Sequence, residues 1–132
     1  AVYIPELKAL FGSDAVGVSH GDFFFSAGNS NFDRYQASLE KMAELDVELL
    51  AKEHFGVHTG ESAKGYLPRA IENAKKTRAI LDESWATTKD ENKCTTMVLD
   101  RLTEDCPNEF MPREVLSMVV RQMVKYIARV SP

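Results

Sequence analysis

"DVELLAKEHFGVHTGE", residues 46 to 61, decides the fold, because it reads either as one helix or as a strand followed by a loop. His54 and His58 stand four positions apart with Gly56 between them. On a helix both imidazoles would share one face and could grip a metal ion. The flanking residues argue otherwise. "VELLA" is a short apolar run that suits a buried strand of about five residues, and Gly56 and Gly60 break the pattern just after it. The segment therefore reads as a strand-to-helix loop. That leaves one metal ligand there, or none, the plain alternative being surface or hydrogen-bonded histidines.

Downstream, a long helix is predicted from Gly60 or Glu61, with Ala63, Tyr66, Leu67, Ala70, Ile71, Ala74, Leu81 and Trp85 on one stripe. Pro68 either kinks this helix or marks its start. Asp90 is placed to cap a further helix through Met97, Val98 and Leu102 that stops near Pro107. Pro112 then opens a last one with the stripe Val115, Leu116, Val119, Val120, Met123, Val124 and Ile127. Upstream, "AVYI" and "LKALFG" read as short strands. The glycine-rich stretch "AVGVSHGDFFFSAGNSN" reads as an irregular loop anchored by Phe23, Phe24 and Phe25. Asn31 is a candidate N-cap for a helix carrying Phe32, Tyr35, Leu39, Met42 and Ala43.

The totals narrow the function. With 132 residues, 44% hydrophobic and 27% charged, the chain has the composition of an ordinary globular domain. A net charge of -4 argues against a nucleic-acid backbone as partner. In 89–132 acids and bases balance, which argues against a helix-turn-helix DNA reader. Arg121, Lys125 and Arg129 make a basic row on the last helix, either a solvated flank or a contact for an acidic group. No apolar run approaches the roughly 20 residues needed to span a bilayer, and no secretory leader opens the chain, so a cytoplasmic location and no membrane partner are expected. Cys94 and Cys106 have no metal-ligand spacing and are expected as free or buried thiols. The chain starts at Ala1 inside a predicted strand, which suggests a fragment.

Asp14 follows the strand "LKALFG" as His54 follows "VELLA". A carboxylate and an imidazole at the C-terminal ends of strands in an α/β layer stand where the ligands of a cleft gather. Here "YIPELKALFGSDAVG", followed by "FDRYQASLEKMAELDVELLAKEHFGVHTGESAKGYLPRAIENA", resembles the C-terminal half of the metallo-β-lactamase-fold hydrolases. In that family an aspartate after a strand bridges two metal ions, and a histidine about forty residues on ligates the second. Between them lies a helix whose pattern matches Tyr35, Ser38, Leu39 and Met42.

The resemblance implies an α/β fold: the C-terminal half of a four-layer αββα sandwich in residues 1–88, with a helical extension in 89–132. It implies Asp14 as the bridging carboxylate and His54 as the terminal ligand of two divalent ions, zinc first, iron or manganese as alternatives. Metal-bound hydroxide would then attack an ester-, thioester- or amide-like small molecule. The family's H-x-H-x-D-H signature is missing from these residues, and so is the histidine that precedes the bridging aspartate. Two ligands do not hold a catalytic zinc. The chain alone is therefore expected to be inactive, not to retain the metals, and to partner the missing N-terminal half or a second copy of itself, as a homo-oligomer. His58 and His20 have no counterpart in the family. The other function that fits is a self-sufficient α/β-plus-helical interaction domain without catalysis, with Asp14 and His54 as turn and loop residues. An exposed apolar sheet would favour the first, a cooperative monomer indifferent to metal the second.

Overall fold

The computed structural model describes residues 1–52 and 54–132. Two strands open the chain, β1 (Val2–Ile4) and β2 (Ala9–Phe11), joined by a 3-10 turn at Pro5–Leu7. They pair antiparallel, β2 runs parallel to β5 (Leu49–Ala51), and β5 pairs antiparallel with β6 (Val57–Thr59). The sheet order is thus β1-β2-β5-β6. Helix α1 (Phe32–Ala43) is the crossover between the two parallel strands. Asn31 caps it, its side-chain oxygen accepting from the Arg34 backbone N–H at 2.9 Å.

Helix α2 (Gly60–Thr88) begins at the predicted position and runs through Pro68 without stopping. Asp90 caps α3 (Glu91–Leu102) through the Lys93 N–H at 2.8 Å, and Pro112 precedes α4 (Arg113–Val130). One buried core runs from Leu10 and Leu50 of the sheet through Leu39, Tyr66 and Leu81 to Val98, Val120 and Ile127 of the last helices. A polar clamp ties the helices together on the outside. Asp33 of α1 accepts from Tyr126 Oη of α4 at 2.6 Å and meets Arg78 of α2 at 2.6 Å. The Tyr126 hydroxyl first, then Arg78, holds the Asp33 carboxyl below its ordinary pKa. Both cysteines are free thiols, Cys94 buried and Cys106 half-buried.

Two expectations from sequence are corrected. The stretch read as an irregular loop begins with the end of a 3-10 turn, Ser13–Val16, and holds a hairpin of β3 (Val18–His20) with β4 (Phe23–Phe25). A two-residue turn, Gly21-Asp22, closes it, and the φ of +60° at Gly21 is the backbone that such glycine-first turns demand. The loop "FGVHTG" contains β6, an edge strand that the glycines around it concealed.

The sheet is two-sided in an unusual way. Pairing aligns Tyr3, Leu10, Leu50 and His58 in one row, and these face the helices. Leu10 is 1% and Leu50 0% exposed, and the His58 ring lies 4.9 Å from that of Tyr66 on α2. The flanking rows, Val2–Phe11–Ala51–Val57 and Ile4–Ala9–Leu49–Thr59, turn to the other side. That side is apolar at every position but Thr59, and its exposure is uneven: Ala9 is 2% exposed, while Ile4, Leu49 and Ala51 are partly buried. Val2, Phe11 and Val57 are 61%, 45% and 59% exposed.

Candidate functional site

Asp14 and His54 meet. Each lies three residues past the end of its strand, β2 and β5, and these run parallel, so both side chains emerge at the same end of the sheet. His54 Nδ1 stands 3.1 Å from Asp14 Oδ1. With the ring proton on Nδ1, the tautomer this contact assigns, the imidazole donates to the carboxylate and leaves Nε2 free as an acceptor. The side chains are 42% and 43% exposed, so the pair adds little to stability. Beside Asp14 opens a cavity of about 540 Å3, with Ser13, Arg34 and Tyr35 also in its wall.

A carboxylate and one imidazole do not make a metal centre. Among the described residues no group of three or more His, Cys, Asp or Glu side chains converges on a point where an ion would sit. The expectation of a metal-binding, zinc-dependent hydrolase is corrected on that ground for this chain. A catalytic zinc takes three protein ligands with a position left open, and among the described residues only Asp14 and His54 meet here. His58 turns away to the helix side of the sheet, where its Nδ1 contacts Ser62 Oγ at 2.7 Å. His20 lies at the hairpin tip, its ring edge-on to Phe55 at 4.8 Å.

On the helix side, next to the pair, lies a second cavity of about 370 Å3, lined by Ser19, His20, Gly21, Lys52, Phe55 and His58. Lys52 Nζ donates to Ser19 Oγ at 2.8 Å and lies 5.2 Å from the centre of the Tyr66 ring. Burial first, then the nearby Arg69, holds the Lys52 ammonium below its ordinary pKa. Burial also depresses His58, with Lys52 and Arg69 adding to it, and pushes the Tyr66 phenol up to about 12. The sequence held one hint of Lys52: a cation directly after the apolar run "LLA". Its partners, Ser19 and Tyr66, come from elements that only the fold brings near.

The depressed pKa of His58 has a consequence for stability. The folded state favours neutral imidazole, so the unfolded chain binds the proton at higher pH than the native one. The His58 contribution is complete above the unfolded value of 6.5 and is lost as pH falls through the lower, folded value. Denaturant midpoints of the wild type should therefore fall more steeply between pH 7 and pH 5 than those of His58→Gln. Parallel profiles for the two proteins would rule this out.

No protein-family model matches the chain, and no curated protein matches it. Among the described residues, no helix is long and apolar enough to cross a membrane.

Proposed function

We propose that this chain is an interaction domain that docks, through the open face of its sheet, onto a second β-sheet layer carried by another stretch of polypeptide, and that it has no catalytic role by itself. The lack, among the described residues, of three metal-ligating side chains at one point is what favours the interaction domain over the hydrolase. The exposed apolar row supports the docking, with Val2, Phe11 and Val57 open to solvent along it and no charged residue among the eight positions of that side. Such faces in layered proteins are buried against another sheet at about 10 Å.

The size of the face selects the occupant. Four strands and three residues give roughly 19 by 10 Å from ordinary strand spacings. That is about a quarter of the ~800 Å2 that each partner buries in a stable interface. A second copy stacked on this face alone falls short. The partner is a broader sheet that continues past the strand ends, over Asp14 and His54.

The test uses the isolated chain, an apolar dye such as ANS and sedimentation velocity. The chain should enhance dye emission several-fold and sediment as a monomer at micromolar concentration. Phe11→Lys with Val57→Lys should abolish the dye signal and leave the helical circular dichroism unchanged. A stable dimer would overturn the choice of partner, since the second copy would then be the occupant. Absence of dye binding by the wild type would overturn the docking face itself.

The Asp14–His54 contact favours one further reading, in which the partner layer is the other half of a metallo-β-lactamase-like hydrolase. The pair would then belong to a site shared between the two layers. Under it, Asp14→Asn leaves folding and dye binding untouched and removes activity only from the assembled protein.

A further inference from the structure

We infer that the cavity around Lys52 is a binding site for a small oxyanion, a carboxylate or phosphate group carried on a compact molecule. This site is separate from the docking face, on the opposite side of the sheet.

The charge balance points to an anion. Lys52 is half-buried, yet among the described residues neither it nor Arg69 makes an ion pair. A cation partly withdrawn from water without a counter-charge is unfavourable, and an entering oxyanion relieves that cost. Among the described residues no carboxylate lines the cavity; Glu109, 69% exposed, reaches one of its lining residues, at 4.0 Å from His20 Nε2. Asp14 is already engaged by His54.

The donors are held in place. Ser19 is 4% exposed, and its Oγ and carbonyl, at 2.8 and 3.4 Å, fix the Lys52 ammonium at the cavity wall. An ammonium has three protons, so at least one remains for a ligand. His58 has its Nδ1 on Ser62, which orients the ring, and its other nitrogen is left for the cavity. Phe55 supplies an apolar wall and is itself stacked on Phe110 at 5.5 Å. A volume of about 370 Å3 exceeds what a lone phosphate fills and falls in the range of small-molecule sites. The ligand therefore carries an apolar or aromatic body beside Phe55.

The test is an amide NMR titration of the full chain with inorganic phosphate and, separately, with benzoate. Ionic strength is held constant with chloride, at pH 7. Saturable shifts are expected in residues 18–21 and 54–58. The probe with the lower Kd tells phosphate from carboxylate. Lys52→Met should weaken binding about tenfold, the loss expected for one charge-assisted hydrogen bond. Lys52→Arg should largely keep it. Arg69→Gln, an exposed helix position that does not endanger folding, should weaken both probes two- to threefold through the lost charge, on the order of a single surface electrostatic contact. Two results would overturn the site: no saturable shift with either probe, or titrations of Lys52→Met and Arg69→Gln that superimpose on the wild type.

Discussion

A chain ending at Thr88 is expected to lose cooperative folding altogether. Helix α2 has 29 residues, about 44 Å at the ordinary helical rise, more than twice the width of the sheet it lies on. Helix α2 packs on the sheet and on α1, and toward its C-terminal end on α3 and α4. Leu81 and Trp85 there are 0% and 9% exposed, and the Trp85 indole N–H donates to the Ser131 carbonyl at 2.7 Å. Truncation would bare that face and remove Val98, Leu116, Val120, Met123, Val124 and Ile127, each 2% exposed or less. At about 1.5–3 kcal/mol for each buried side chain, the loss is comparable to the entire 5–15 kcal/mol of a typical domain. The Tyr126 half of the clamp on Asp33 goes with it, and Arg78 alone remains. Urea titration followed by circular dichroism should show one sigmoid for the full chain and a drifting, non-cooperative signal for residues 1–88. A sharp transition in the short chain would instead establish residues 1–88 as a body with 89–132 as its extension.

What could be seen in the sequence, and what could not, follows from how local each determinant is. Asn31 and Asp90 cap helices with their own side chains three residues on, so both were legible as helix starts. The apolar run before His54 was legible as β5 because a short unbroken apolar run suits an inner strand, and β5 lies between β2 and β6. Strand β6 was not. It has three residues, lies at the sheet edge between Gly56 and Gly60, and shows one side chain to the core. The β3–β4 hairpin was hidden for a related reason: three consecutive phenylalanines erase the period of two, although Phe24 goes to Tyr66 and Phe23 to Phe110. The Asp14–His54 contact was foreseeable, since parallel strands bring their following residues to one end. The number of ligands around it depends on residues elsewhere, and among the described residues no third one gathers there. The open sheet face needed the register, because only pairing shows that Val2, Phe11 and Val57 form a row.

Replacing Phe110 with alanine should cost about 3–5 kcal/mol, the range for emptying a buried aromatic site. Phe110 closes the turn between α3 and α4 and is 4% exposed. Its ring stands edge-on to Phe23 at 4.8 Å, stacks on Phe55 at 5.5 Å and tilts toward Phe25 at 6.4 Å. It thus joins the helical end of the chain to the hairpin and to the loop after β5. Each aromatic pair adds roughly 0.5–1.5 kcal/mol beyond area burial. The backbone around Phe110 has little freedom to collapse into the hole, because its N–H is bonded to the Pro107 carbonyl at 3.1 Å. The upper part of the range is therefore expected. Phe110→Leu keeps the apolar contact and loses the ring geometry, so its cost should fall well below that of alanine. Urea midpoints at a constant m-value measure both. Amide exchange gives a second readout: losing its stacked neighbour frees Phe55, and protection should drop around residues 54–58 before it drops in α4. If alanine costs under about 1 kcal/mol, in the range of a surface change, the hairpin and the helices are joined through α2 alone. The Phe55 wall of the Lys52 cavity would then stand without help from the chain's last third.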